Sequence, residues 1–240
     1  MKTGVFTYDE KTATDLVGEY SVYLADSVPG DELASIMNSG TAKLMDDGCE
    51  QVVFIGRGCT AQKDMVTDHA EQLGKHLYPL ITCGRILHEA EHWLDYREMG
   101  PARRLNLFNA GGSIIQNPSV LTSGYGISVA NFGMNRAAID RLNRFTRMYY
   151  EHPGPFPVTE SRRPYGYGKV LSLCAWCSRI TMFMLPTGRL NAVVHETGEC
   201  NPYSENGCDA DASSAELNDM NKKMAKKPLD LDFFDSVHDR

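Results

Sequence analysis

The sequence contains no apolar run approaching 18 residues, so it predicts no transmembrane helix. The opening stretch predicts no secretory start, because Asp9 and Glu10 interrupt it before an apolar h-region can form. No internal repeat occurs, and neither the full P-loop spacing nor the dinucleotide-binding glycine fingerprint is present. The seven cysteines are odd in number. With no secretory signal, they predict thiols or metal ligands in a reducing compartment rather than a disulfide framework. These absences give the expectation of a cytoplasmic protein with no membrane partner.

What is present is a chain of 240 residues, 42% of them hydrophobic, which suffices for a substantial core. The net charge of −7 conceals an uneven distribution. Arg97 to Lys169 carries ten basic residues against four acidic ones, a local +6 that leaves −13 for the remainder. A basic centre with acidic flanks suits either an anionic partner such as nucleic acid or an ordinary charged surface.

Taken in order, the pattern predicts an α+β fold, a mixed sheet with flanking helices. Short strands are expected at Val5–Tyr8 and Tyr20–Ala25, a helix over Gly30–Met45, and an apolar strand at Gln51–Ile55. The turn Gly56-Arg57-Gly58-Cys59-Thr60 then leads towards a helix from about Gln62 to His76, an outline similar to phosphate-cradling strand–turn–helix units. Leu77–Thr82, Leu105–Phe108, Ser113–Ile115 and Gly126–Phe132 read as further strands. Asn135–Tyr150 reads as an amphipathic helix. Arg136, Arg144 and Arg147 share one face with Arg141 at its edge, opposite Ile139, Leu142, Phe145 and Met148. Val170–Leu173, Ile180–Leu185 and Leu190–His195 read as strands, the last two joined by a Pro186–Arg189 turn. The proline-rich break at His152–Pro157 suggests three units: a core over 1–155, a β-rich cysteine-containing subdomain over 156–210, and a flexible polar tail over 211–240.

Arg85 to Tyr96 contains His88-Glu89-Ala90-Glu91-His92, a literal H-E-x-x-H. On a helix, residues four apart lie one turn apart on the same face, so His88 and His92 would hold one metal ion and Glu89 would polarise its water. The alternative is a helix carrying two surface histidines. The motif resembles that of zincin metallopeptidases, which implies zinc on His88 and His92 with Glu89 as general base. No third ligand follows at the metzincin spacing, leaving Asp140, Glu151 or His152 as distant candidates.

Cys174-Ala175-Trp176-Cys177, followed by Cys200 and Cys208, resembles a zinc ribbon. This implies four zinc ligands on a hairpin, with buried strand thiols or a redox pair as the alternatives. In the tail, Leu229, Leu231 and Phe233 resemble the peptide by which bacterial replication proteins dock on the sliding clamp, and packing on the domain is the alternative. Arg163-Pro164-Tyr165-Gly166-Tyr167-Gly168 resembles the R-x-x-G-x-G loop of GNAT acyltransferases, implying acetyl-CoA held by Arg163, Gly166 and Gly168. Gly56–Gly58, Gly112 through Ala130, and Met184–Gly188 resemble three ordered blocks of ADP-ribosyltransferases, implying NAD.

The leading expectation is a zinc-dependent hydrolase associated with nucleic acid or replication machinery, similar to SprT-type proteases. The alternatives are a non-catalytic zinc-stapled module, binding nucleic acid or protein through Arg136, Arg141, Arg144 and Arg147, and a nucleotide-cofactor transferase.

Overall fold

A computed structural model describes residues 1–26, 33–61, 63–88, 114–115, 127, 129–158, 164–185, 192–195 and 222. Ten strands and five helices occur among them: β1 (Thr3–Thr7), α1 (Glu10–Leu16), β2 (Ser21–Leu24), α2 (Leu33–Asp46), β3 (Gln51–Ile55), β4 (Cys59–Ala61), α3 (Lys63–Gly74), β5 (Leu80–Cys83), β6 (Arg85–His88), β7 (Ile114–Ile115), β8 (Asn131–Asn135), α4 (Arg136–Tyr149), α5 (Pro164–Cys177), β9 (Thr181–Met184) and β10 (Ala192–His195). Seven strands form one sheet in the order β2-β1-β3-β8-β5-β9-β7, and β4-β10-β6 form a second. The mixed α and β character expected from the pattern is present. Among the described residues, no helix is long and apolar enough to cross a membrane.

The central strands are buried along their whole length, as expected where helices cover both faces of a sheet. Strands β1, β2, β3, β5 and β9 run in one direction, while β8 and β7 run against them. On one face, Phe6, Phe54, Phe132 and Met134 pack with Met37 and Leu44 of α2, Leu142 and Phe145 of α4, and Leu171 of α5. The rings of Phe54 and Phe132 stack with centroids 4.5 Å apart, and Phe156 meets Phe54 edge-on at 5.2 Å. On the other face, Val5, Val53 and Ile55 pack with Leu16 of α1 and with Met65 and Val66 of α3.

That second face also carries a polar stripe. The Gln51 side-chain amide donates to Thr3 and to the Ala70 carbonyl. His69 on α3 is fully buried above β8, with Nε2 2.8 Å from Asn131 Oδ1 and Nδ1 2.7 Å from Thr82 Oγ1. The neutral tautomer that donates from Nε2 and accepts at Nδ1 satisfies both bonds. Gly133 lies beneath the ring, and a Cβ there would come within 2.9 Å of Thr82 and Leu73 and 3.2 Å of His69. Asn135 ends β8 and caps α4. Its Oδ1 accepts from the Ala138 and Leu80 amides, while its Nδ2 donates to the Tyr78 and His76 carbonyls.

Three segments differ from expectation. Arg85–His88 is a strand rather than the start of a helix, because it follows β5 after the single residue Gly84 and pairs with β10. Val170–Leu173 lies inside α5, not in a strand. The expected hairpin partners part company: β9 joins the large sheet and β10 the small one.

Burial holds the His69 imidazole well below its usual 6.5, at about 4. The unfolded chain therefore takes up a proton below 6.5 that the folded chain refuses until about 4. This contribution to stability is complete above the upper value and falls by about 1.4 kcal/mol per pH unit between the two, roughly 3 kcal/mol in all. Denaturant melts across this interval should show the slope, and His69→Leu should remove it. The variant should also lose about 1–3 kcal/mol at neutral pH, because Thr82 and Asn131 forfeit their partner.

Candidate functional site

In open α/β sheets, ligands bind beyond the carboxyl ends of parallel strands, where successive crossovers leave on opposite faces. Here β1 leads to α1 on one face and β2 leads to α2 on the other, and the carboxyl ends of β1 and β3 lie side by side. Tyr8 and Asp9 follow β1, Ala25 and Asp26 follow β2, and Gly56-Arg57-Gly58 follow β3.

Each of these residues is fixed by local chemistry. Asp9 caps α1, with Oδ2 accepting from the Thr12 amide and hydroxyl, both at 2.6 Å. The Thr12 hydroxyl in turn accepts from the Ala61 amide, tying β4 to the same corner. The Gly56 amide donates to the Ala130 carbonyl at 3.0 Å, and a Cβ on Gly56 would lie 2.6 Å from the Ala130 Cα. Gly58 has a φ of +70°, and the Cys59 amide closes the turn on the Gly56 carbonyl. This turn projects Arg57, whose guanidinium carbon sits 5.4 Å from the centre of the Tyr8 ring. Tyr8 is itself held edge-on by Phe6 at 5.3 Å. A cation is therefore fixed by cation–π contact at the carboxyl edge. The turn leads into β4 before α3 begins, so it is not the strand–turn–helix cradle that the sequence suggests.

The zinc readings are corrected. Among the described residues, no group of three His, Cys, Asp or Glu side chains could hold a metal ion. His88 ends a strand, where a one-turn spacing has no meaning, and Glu89 and His92 lie outside the described residues. Asp140, one candidate third ligand, is engaged by Arg136 on the exposed side of α4. The chain therefore does not resemble a zincin at this site, and neither the zinc hydrolase nor the zinc-stapled module stands.

Cys174 and Cys177 occupy the last turn of a helix rather than a ribbon knuckle, and both are buried. Burial pushes the Cys177 thiol up to about 11, the reverse of what a thiolate ligand or redox cysteine needs. Cys200 and Cys208 lie outside the described residues.

Nor do the described residues form an acetyl-CoA or NAD site. Gly166 and Gly168 lie in the first turns of α5, and a Cβ on Gly168 would come within 2.3 Å of the Ile127 carbonyl oxygen, so this glycine serves close packing. Arg163 lies outside the described residues, as do Leu229, Leu231 and Phe233 of the clamp-like tail.

Of the α4 arginines, Arg144 and Arg147 are exposed and Arg136 bonds Asp140. Arg141 is buried and donates to the Arg179 carbonyl. No protein-family model matches the chain, and no curated protein matches it.

Sequence reasoning noted the Gly56–Gly58 turn but missed Tyr8 as its partner. The contact depends on β1 lying beside β3, and nothing in local sequence announces that pairing.

Two outcomes follow from this packing. Gly56→Ala forces apart β3 and the start of β8 and should cost about 1–3 kcal/mol in denaturant melts. Cys174 and Cys177 should resist iodoacetamide in the native protein and react only after unfolding, as peptide mass mapping would show.

Proposed function

We propose that the protein binds a small anionic molecule of the phosphate-bearing class at the carboxyl edge of its large sheet, with Arg57 as the cation that grips it. The observation that carries this reading is Arg57 held over Tyr8 where β1 and β3 end together. Guanidinium matches phosphate and carboxylate geometry through paired N–H donors. Stacking on an aromatic ring reduces the entropy that a long side chain loses on binding. Cytoplasmic residence belongs to the same proposal, supported by the absence of disulfides among the five described cysteines.

Inorganic phosphate and pyrophosphate, titrated against the full chain and followed by thermal shift and calorimetry, test the proposal. A charge-assisted contact of this kind contributes about 1.5–3 kcal/mol, so Arg57→Ala should weaken binding by roughly 10- to 100-fold. Tyr8→Phe keeps the ring face and should bind nearly as well as the wild type. Wild-type protein that neither anion stabilises, or equal affinity in Arg57→Ala, would contradict the proposal.

A further inference from the structure

The amino edge of the large sheet carries apolar and aromatic side chains that the fold holds out in solvent. Leu77 and Tyr78, in the turn that enters β5, are 93% and 40% exposed, and Trp176 in the last turn of α5 is 41% exposed. Backbone hydrogen bonds link the two places. The Thr181 amide donates to the Pro79 carbonyl, and the Ile180 amide donates to the Ala175 carbonyl. Neither turn can fold inward, because Asn135 Nδ2 donates to the His76 and Tyr78 carbonyls and the Arg179 amide donates to the Trp176 carbonyl. Apolar groups fixed in water mark a surface that a partner covers.

Cations flank these rings. Lys75 and Arg179 are exposed, the first just ahead of Leu77 and the second just past Trp176. Arg141 joins the strip to α4 by donating to the Arg179 carbonyl. Farther along α4, Arg144 and Arg147 are exposed, and among the described residues no acid pairs with either. This helix holds four arginines and one aspartate, a local +3 in a chain of net charge −7.

Arg179 supplies an independent observation. Its φ is +53°, the left-handed position past a helix end that glycine fills without strain. Keeping an arginine there costs backbone strain, which fits a side chain retained for a ligand rather than for the fold.

We propose that this strip binds single-stranded nucleic acid, with Trp176 and Tyr78 stacking on bases and Arg179, Arg144, Arg147 and Lys75 meeting phosphates. Rings set among cations suit an unpaired strand, since each base offers a π-face and each linkage a charge. A duplex hides its base faces, and the acidic remainder of the chain repels phosphate and confines the strand to the strip. Of the four α4 arginines that the sequence offers for such a partner, Arg136 is engaged by Asp140 and Arg141 is buried. The strip lies at the edge of the sheet opposite Arg57, so this inference goes beyond the small-anion site and does not rest on it.

A fluorescein-labelled oligothymidylate of about 15 nucleotides, titrated with the full chain and read by anisotropy at several salt concentrations, tests the proposal. Affinity should fall linearly with salt on logarithmic axes, and a duplex of the same length should bind at least about tenfold more weakly. Arg179→Gly relieves the strained φ, so it should melt no lower than the wild type, yet its salt slope should be shallower by about 0.7. Trp176→Ala should weaken binding by about 5- to 150-fold, and Arg57→Ala should bind as the wild type does. No binding by the wild type at low salt, equal affinity for the duplex, or an unchanged slope in Arg179→Gly would each overturn the proposal. Loss of binding in Arg57→Ala would place the strand at the other edge and overturn it. Polyglutamate bound as tightly as the oligonucleotide, with Trp176→Ala having no effect on either, would mark a site for anions of any kind and overturn it too.

Discussion

The structure depends on one strand running against its neighbours. β8 lies between β3 and β5, antiparallel to both, and supplies the only described ladder joining the β2-β1-β3 half of the sheet to the β5-β9-β7 half. Alternation along β8 gives its two faces different duties. Phe132 and Met134 enter the apolar core, while Asn131, Gly133 and Asn135 face α3 and the ends of the neighbouring elements. A slip of one residue would bury the asparagines in the aromatic cluster and press Phe132 and Met134 against His69. The polar stripe therefore specifies the register more sharply than apolar burial could. Each buried polar group accepts only the partner it has, and a substitute would leave it unsatisfied.

The same strand fixes how two of its neighbours leave the large sheet. β3 and β5 flank the start of β8, and each leaves the sheet through a glycine that hugs it. Gly56 donates to Ala130 and Gly84 to Asn131, both at 3.0 Å. A Cβ on Gly84 would lie 2.4 Å from the Asn131 side chain, matching the exclusion at Gly56. Past these contacts the chain turns into β4 on one side and β6 on the other, and β10 bridges them. The elements that could cover a ligand are thus consequences of how tightly two strands pass β8.

Much of the fold was legible where local signals agreed. Gln51–Ile55 is a continuous apolar run and forms a fully buried strand. Asn135 followed by a strongly amphipathic stretch forms a capped helix, and Gly74 closes α3. Legibility failed where tertiary pairing overrode a short local pattern. Ile86-Leu87 between polar residues fits one turn of helix or a brief strand equally well, and pairing with β10 decides for the strand. Val170 to Leu173 looked like a strand because four residues were read alone. Pro164 at the first position of α5 is the helix signal that a longer window would have weighed.

The candidate chemistry illustrates a deeper limit. A motif such as H-E-x-x-H encodes function through spacing along the chain, and that encoding holds only if the segment is helical. In a sheet, a side chain's neighbours are set by register with strands far away in sequence, so spacing carries no information. His88 lies in a strand, in register with His195 of β10, and His195 lies opposite Cys59. Cys59 and His195 share a register row only once two strands far apart in sequence have been aligned. Arg57 and Tyr8 follow the same logic. The arginine was visible as part of a glycine turn, but its ring partner follows from β1 lying beside β3. Where a site is assembled across a sheet, topology selects which residues meet, and the sequence records only that they are of the right chemical type.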